Sequence, residues 1–244
     1  MPEIINKLVE RQIHRWSRLE AVLKKGRTPS EAKSPLRRPV ITISRQVGSG
    51  GRIIAKALSE RLGLDLFGVS IIDAIAESAN LERRVIDSLD ESVRTDFENR
   101  IAGILRGRVI DNQEYATRLA RVLTAIATHG RAIILGRGGA QVLRECAHLR
   151  LRFYAPVEFR VKNEMAYENK SEGEARAYVK EIDERRRLFV KRLFRADIDD
   201  PAYYDISIDT SRVPPADCVE IVVMALKLRT SPEEIDNLNL DDPD

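Results

Sequence analysis

The chain has little of what builds disulfide-bonded, zinc-binding or membrane-spanning proteins. Its 244 residues include two cysteines and three histidines, which excludes a disulfide scaffold and argues against a metal site built from cysteine or histidine. It has no run of about 18 apolar residues that could cross a membrane. Its first residues mix acid, amide and base with apolar side chains, unlike a signal peptide. We therefore expect a cytoplasmic protein.

Aromatic residues and net charge are also scarce, at 5% and +3, so bulk charge gives no argument for nucleic-acid binding. The charges are unevenly distributed, however. Residues 1–38 hold ten Lys and Arg against four Glu, and residues 230–244 hold six acids and no base. We predict a basic N-terminal helix and linker over 1–38, a globular domain over 39–229 and a flexible acidic tail over 230–244.

The basic segment carries apolar residues at helical spacing from Ile5 to Leu23, which predicts an amphipathic helix over about residues 4–25. Such a helix either lies on a membrane surface or packs on its own domain or on a second copy of the chain. Packing is favoured, because the single tryptophan, Trp16, is a weak membrane anchor. A homodimer formed through residues 4–25 is one form of this hypothesis.

From residue 39 onward, short apolar runs alternate with longer amphipathic segments. Strands are predicted at 40–43, 132–135, 149–154 and 205–209, and helices at 53–62, 172–195 and 216–228, with 70–130 mostly helical. Strands separated by helices of about ten residues or more pair in parallel. The pattern therefore predicts an α/β fold with a doubly wound parallel sheet.

A glycine-rich loop joins the first predicted strand to the first helix of this domain. Glycine permits positive φ angles and the close approach of a ligand to the backbone. Successive amides here can converge on an anion, reinforced by the positive end of the helix. The alternative is a tight turn whose glycines only allow close packing. The candidate phosphate-binding residues are Arg45, Gly48, Ser49, Gly50, Gly51 and Arg52.

The loop departs from the standard phosphate-binding pattern GxxxxGK[ST] at three positions. Arg45 stands at the first glycine, Gly51 at the lysine and Arg52 at the hydroxyl residue. The lysine normally bridges the β- and γ-phosphates, and the hydroxyl holds Mg²⁺. Arg52 can replace the charge of the lysine by reaching back one residue. Only Ser49 or Ser44 offers a hydroxyl nearby, so the metal ligand is unknown, with Ser49 a candidate.

The segment from Ile43 to Arg52 resembles the opening of the cytidylate kinase-like family, a branch of the P-loop nucleoside monophosphate kinases. The resemblance covers most of residues 40–226. Further matching segments are Leu62–Leu64, Ile134–Ala140, Asp183–Arg186, Tyr204–Asp205 and Ile208–Ser211. It implies a P-loop NTPase-type sheet with a helical acceptor-binding insert at about 68–130 and a helical lid at about 170–203. It also implies ATP as donor, Mg²⁺ bound with ATP, and CMP, dCMP or a similar nucleotide as acceptor.

The resemblance also assigns roles to individual residues. Asp183 and Arg186 match the lid positions that contact the acceptor and a phosphate, and with Arg52 they are the candidate catalytic residues. Arg137 matches the position that touches the acceptor phosphate. Arg100 and Arg118, in the insert, are further candidate acceptor contacts. The lid adds the candidates Arg185, Arg187 and Arg192, since guanidinium groups bind phosphate oxygens in pairs.

Several positions differ from the family's pattern. Val179 stands where the lid has an earlier arginine, and Leu135 and Gly138 stand where cytidylate kinases have acids. For any one lid arginine, the alternative to phosphate binding is that it lies on a solvated helix and forms ion pairs with neighbouring turns.

The sequence is consistent with three functions. The first is phosphoryl transfer from ATP to a nucleoside monophosphate. The second keeps the fold and loses the chemistry, giving a regulatory module that binds a nucleotide or phosphometabolite; the exchanged lysine and hydroxyl favour it. The third is a nucleic-acid surface formed by helix 4–25 and the lid, which the small net charge and the absence of interleaved aromatics disfavour.

Overall fold

The computed structural model describes residues 2–25, 39–89, 91–105 and 113–229. The predicted linker before residue 39 and the predicted tail at 230–244 lie outside these residues. The chain separates into two compact units, one drawn from residues 1–38 and 68–130 and the other from 39–67 and 131–244. Within the described residues, no helix combines the length and the apolar character needed to cross a membrane.

The second unit, here called the sheet unit, is built on one parallel sheet of five strands. In chain order they are β1 (Val40–Arg45), β2 (Asp65–Phe67), β3 (Ala132–Leu135), β4 (Leu149–Tyr154) and β5 (Ile206–Asp209). They lie in the order β2-β3-β1-β4-β5, and every neighbouring pair is parallel. The predicted fold class is confirmed.

Strand β1 occupies the centre of the sheet because its β-branched residues can be buried on both faces. Ile41 lies opposite Ile133 of β3 on one side and Leu149 of β4 on the other. A crevice forms at the carboxyl end of a parallel sheet where the connections diverge to opposite sides. The loop after β1 lies at that point of the sheet.

The described residues of the sheet unit form five α-helices: α2 (Gly51–Leu62), α7 (Gly139–Val142), α8 (Val157–Glu168), α9 (Glu172–Phe194) and α10 (Pro215–Arg229). Helix α2 ends at Gly63, whose φ of 61° lies in the left-handed region that stops helices. Helix α9 begins with a capping box between Ser171 and Glu174. The helices predicted over 53–62, 172–195 and 216–228 are thereby confirmed.

Besides the four-residue helix α7 and a single 3-10 turn at Pro201–Tyr203, two elements of the sheet unit were not predicted. Strand β2 has three residues at the edge of the sheet, too few to show a hydrophobic period. Helix α8 mixes apolar and charged residues without a clear apolar face and buries only Arg160 and Val161 among its described side chains. Both escaped detection because short or weakly amphipathic elements give no periodic signal.

The first unit, here called the helical unit, contains α1 (Pro2–Lys25), α3 (Val69–Glu77), α4 (Ala79–Asp87), α5 (Glu91–Leu105) and α6 (Gln113–His129). Helix α1 buries Val9 and Trp16. The Trp16 ring stacks on that of His129, with centroids 3.9 Å apart, and Glu10 pairs with Arg84 at 3.2 Å. Helix α1 thus packs on its own unit, and a dimer through residues 4–25 stays a prediction.

The apolar core of the sheet unit predicts which substitutions destabilise it. Leu151, on β4, is fully buried among residues of β1, α2 and α10, whereas Leu228 is 81% exposed at the end of α10. Leu151→Ala is expected to lower the free energy of unfolding by about 2–5 kcal/mol, since it leaves a cavity. The same change at Leu228 should cost less than about 0.5 kcal/mol. Urea unfolding of both variants checks this, and equal losses would contradict the core described here.

Candidate active site

The loop between β1 and α2 has the geometry of an anion site. Gly48 and Gly50 adopt φ angles of +72° and +74°, and Gly50 is the N-cap of α2 without providing a side-chain cap. The amides of Gly51 and Arg52, in the first turn, have no acceptor within the helix. That turn contains no acidic residue. An anion at this helix end would accept from these amides and meet the positive end of the helix dipole.

The three loop positions 48, 50 and 51 require glycine for different structural reasons. A Cβ on Gly48 would overlap the carbonyl group of Arg160, and one on Gly51 would come within 2.7 Å of the Arg45 Cβ. A Cβ on Gly50 would meet nothing within 4 Å. Close packing therefore accounts for Gly48 and Gly51, whereas Gly50 faces open space that a ligand can enter.

The carboxylate of Asp183, on α9, anchors the loop through a backbone amide. The Val47 amide donates to Asp183 Oδ1 at 2.9 Å, and the Arg160 guanidinium of α8 pairs with the other carboxylate oxygen. Arg160 also donates to the carbonyl oxygens of Val47 and Ala155, at 3.3 and 2.9 Å. One carboxylate thus joins the loop to both helices.

Two further side chains bind backbone carbonyls of the loop. Asn163 Nδ2, on α8, donates to the Gly48 oxygen at 2.7 Å. Arg186 Nη1, on α9, donates to the Arg45 oxygen at 2.9 Å. These contacts leave the amides at the start of α2 uninvolved, so they fix the loop without occupying its anion-binding side.

Apolar contacts complete the support of the loop. Val47 packs in a buried cluster with Val161 of α8 and with Ala175 and Val179 of α9. The valine at position 179, where the resemblance places an arginine, therefore packs against the loop instead of offering a charge.

A cavity of about 490 Å³ lies between the sheet and helices α8 and α9, and it meets the loop at Arg45 and Gln46. Its lining is strongly cationic. The basic residues are Arg45, Arg152, Arg160, Arg176, Lys180, Arg186 and Arg187, and the acidic ones are Asp183, Glu184 and Asp199. Seven cationic side chains and three carboxylates line the cavity, and Arg176 also pairs with Glu158 and Glu172 outside the lining. The remaining excess of positive charge makes the cavity a suitable site for a polyanion.

Arg45 carries the clearest sign of this positive field. Burial lowers the pKa of Arg45 to about 9, and repulsion from neighbouring guanidinium groups acts in the same direction. Those neighbours are Arg186, Arg137 and Arg52. Burial also lowers the pKa of Arg186, against an opposing effect of Asp183. A bound phosphate would relieve this repulsion and favour the charged form of both arginines.

Arg137 belongs to the same charge cluster as Arg45. Its guanidinium lies over the ring of Phe189, with 4.7 Å between the carbon Cζ and the ring centroid. A Cβ on the neighbouring Gly138 would overlap the ring of Phe194. The acid expected at position 138 is therefore excluded here, because α9 packs its aromatic residues against this turn.

The other lid arginines of α9 differ in their surroundings. Arg185 pairs with Glu181 at 3.7 Å, and Arg187 pairs with Glu184 at 2.6 Å. Arg187 also lines the cavity, and Arg192 is exposed. Their approach to a phosphate stays a prediction.

Arg100 and Arg118, the candidate acceptor contacts of the insert, both lie in the helical unit. Arg118 pairs with Glu114 one turn away and lies 3.8 Å from the carboxylate of Glu82. Arg100 is exposed on α5. Their contact with an acceptor stays a prediction.

The hydroxyl groups near the loop do not form a metal site. Ser49 is buried and donates its hydroxyl to the Gln46 oxygen at 2.9 Å. Ser44 accepts from the Arg152 guanidinium at 2.7 Å, where a cation would be repelled. Among the residues described, no group of three or more His, Cys, Asp or Glu could hold a metal ion. The residues present therefore do not fit a metal held by the protein.

Three residues at the edge of the site, Arg152, Arg160 and Asn163, were not among the candidates from the sequence. Arg160 and Asn163 lie on the unpredicted helix α8. Arg152 lies on β4, where it pairs with Asp199 and lines the cavity. A charged residue within a buried strand was a usable signal for Arg152, but nothing in the sequence singled out the other two.

Comparisons with known proteins agree with the family resemblance and with the fold. A family model described as the cytidylate kinase-like family matches residues 40–212. The cytidylate kinase of Halobacterium salinarum is 25% identical over 191 residues, which cover 77% of this chain and 88% of that protein. The cytidylate kinase of Haloarcula marismortui is 23% identical, with 77% and 89% covered. The crystal structure of an uncharacterized protein from Eubacterium ventriosum shares the fold, with a TM-score of 0.60, 20% identity and 79% and 99% covered.

The different surroundings of Gly48 and Gly50 give a testable difference. Gly50→Ala is expected to cost about 1–2 kcal/mol of unfolding free energy, because only its left-handed backbone opposes a side chain. Gly48→Ala has the same backbone cost and must also displace the α8 backbone, which adds about 1–3 kcal/mol. Chemical denaturation of the two variants measures the difference. Equal destabilisation would show that α8 does not lie against the loop as described.

Proposed function

Because this chain belongs to the cytidylate kinase-like family, we propose that it transfers a phosphoryl group from ATP to a nucleoside monophosphate of the CMP or dCMP type. In this reaction an oxygen of the acceptor phosphate attacks the γ-phosphorus of ATP. The bond from that phosphorus to the bridging oxygen breaks, leaving ADP and a nucleoside diphosphate. The membership supports a phosphotransferase, and the choice of ATP and of the acceptor is our proposal.

The observation that carries the proposal is the combination of the loop with the cationic cavity. The uncapped start of α2 offers amides to an anion, and Arg45 is half-buried where positive charge already accumulates. Such a field is unfavourable without a ligand and suits a chain of phosphates. Phosphoryl transfer needs this kind of site, because the enzyme mainly positions the phosphates and stabilises the charge on the transferred group.

On the donor side, the amides from Gly48 to Arg52 bind the phosphate chain in this proposal. Arg186 is a candidate for stabilising the transferred group, since it lies in the cavity next to the loop. Asp183 holds the loop through Val47 and retains its proposed contact with the acceptor. Its two roles are compatible only if a bound acceptor shares the carboxylate with the Val47 amide.

On the acceptor side, Arg137 binds the acceptor phosphate in this proposal, and Arg100 and Arg118 are further candidates. The lid arginines Arg185 and Arg187 would exchange their partners on α9 for phosphate oxygens, joined by Arg192, a move that surface ion pairs of small stability allow.

Mg²⁺ enters this proposal as the counter-ion of the ATP substrate. The family's reaction generally uses Mg²⁺, and the ion commonly keeps several waters and binds through substrate phosphates. Neither Ser49 nor Ser44 supplies a ligand in the arrangement described, so no step is assigned to a metal held by the protein.

The second candidate function is a regulatory module that has the same fold and binds its ligand without phosphoryl transfer. It is favoured by the exchange of the usual lysine and hydroxyl residue for Gly51 and Arg52. The hydroxyl groups of Ser49 and Ser44 are also already hydrogen-bonded within the protein. In that case a nucleotide or phosphometabolite binds at the loop and regulates some other process.

The proposal predicts turnover with ATP and a monophosphate. The purified chain is incubated with MgATP and, separately, CMP, dCMP, UMP, AMP and GMP, and the diphosphates are measured by anion-exchange chromatography. We expect ADP and a pyrimidine nucleoside diphosphate to form in equal amounts. Arg186→Ala should lower kcat by about 100-fold or more, because it removes a charge next to the transferred group.

Arg144→Ala is the matched control, since this arginine is 60% exposed and pairs only weakly with its neighbour Glu145. It should retain wild-type kcat. An increase in Tm with MgATP but no transfer to any of the five acceptors would support the binding module. If Arg186→Ala and Arg144→Ala keep the same kcat, the cavity is not the site of transfer.

A further inference from the structure

Two of the loop's departures from the standard pattern are neighbours in space. GxxxxGK[ST] has glycine where this chain has Arg45 and lysine where it has Gly51. A Cβ on Gly51 would lie 2.7 Å from the Cβ of Arg45 and 3.2 Å from its Cγ. The stem of Arg45 therefore occupies the space that a side chain at position 51 needs.

The backbone gives no other reason for a glycine at position 51. The glycines with positive φ include Gly48 and Gly50 but not Gly51, which is the first residue of α2. Since the first turn of a helix accepts any residue with ordinary φ, the contact with Arg45 is what excludes a side chain here. Positions 45 and 51 can carry one long side chain between them, and in this chain it starts from position 45.

We propose that Arg45, and not Arg52, takes the role of the missing lysine and donates to the terminal phosphates of ATP. This inference rests on the proposed function, because it assigns a residue to the donor phosphates. Arg45 reaches the loop from the end of β1, crosses Gly51 and lines the cavity. Arg52 lies one residue further along α2 and is exposed. The sequence alone favoured Arg52 because distance along the chain was the only guide.

The surroundings of Arg45 fit a phosphate ligand and disfavour a structural role. Its backbone is fixed independently of its guanidinium, since its carbonyl accepts from Arg186 at 2.9 Å and the next amide donates to the Phe153 oxygen at 3.0 Å. Its side chain is half-buried near three other guanidinium groups, whose repulsion outweighs the attraction of Asp183 in the absence of an anion. A residue kept only for packing would not need a charge at this place. An arginine can also contact two phosphate oxygens at once.

The inference predicts that the two exchanges compensate each other. Arg45→Gly should weaken MgATP binding by about 10- to 100-fold, through the loss of a charged donor. Gly51→Lys should also weaken it, although it adds a positive charge, because the lysine stem collides with Arg45. The double variant Arg45→Gly/Gly51→Lys restores the first glycine and the lysine of the standard loop, and it should bind within about fivefold of wild type. Titration calorimetry with MgATP and with inorganic tripolyphosphate measures all four proteins.

Arg45→Gln is the second test, for the case in which a loop variant does not fold. Glutamine keeps the stem over Gly51 and removes the charge. We expect MgATP and tripolyphosphate binding to weaken by about 10- to 100-fold, while the Tm of the unliganded protein stays equal or rises, because a repelled cation has been removed. A purely structural arginine would give the opposite pattern, a lower Tm with unchanged binding. Arg144→Ala, an exposed arginine of the same unit, is the control for loss of charge.

The outcomes separate this inference from the proposed function. If the wild type binds neither MgATP nor tripolyphosphate, the proposed function fails and the inference fails with it. If the wild type binds both and Arg45→Gln binds equally well, only the inference is overturned. It is also overturned if Arg52→Ala weakens binding more than Arg45→Gln does, or if Gly51→Lys alone strengthens binding.

Discussion

The loop between β1 and α2 depends on one carboxylate. Asp183 accepts from the Val47 amide and pairs with Arg160, so the loop, α8 and α9 meet at one half-buried carboxylate. Near this carboxylate, Asn163 donates to the Gly48 carbonyl oxygen and Arg186 to that of Arg45. None of these contacts uses the amides of Gly51 and Arg52 at the start of α2. The loop therefore keeps its left-handed glycines in place, and its anion-binding side is preorganised before a ligand arrives.

Arginines concentrate around this contact because the supporting helices also carry the charges of the cavity. Arg186 binds the loop and lines the cavity, and Arg160 does both as well. The same side chains thus stabilise the loop and create the positive field. This arrangement links binding to structure, since an anion that draws Arg186 away from the loop carbonyl would loosen the contact between α9 and β1.

Most of the fold could be predicted because its elements have clear periods. The buried strands at the centre of the sheet and the charged helix α9 follow from their apolar and charged patterns. Strand β2 and helix α8 were missed, the first for its three residues and the second for its weak apolar face. Within the site, the glycine loop was visible from its local sequence. The Asp183 contact with Val47 was not, because the two residues lie 136 positions apart, and the crossing of Arg45 over Gly51 needs the geometry of the loop.

The central claim is that the amides at the start of α2, together with the arginines of the cavity, hold a chain of phosphates. A crystal structure of the chain with a non-hydrolysable ATP analogue tests it most directly. The account predicts phosphate density within hydrogen-bond distance of the Gly50 and Gly51 amides, with the Arg45 guanidinium on the terminal phosphates. Density for the phosphates elsewhere on the molecule, with the loop empty, would contradict it.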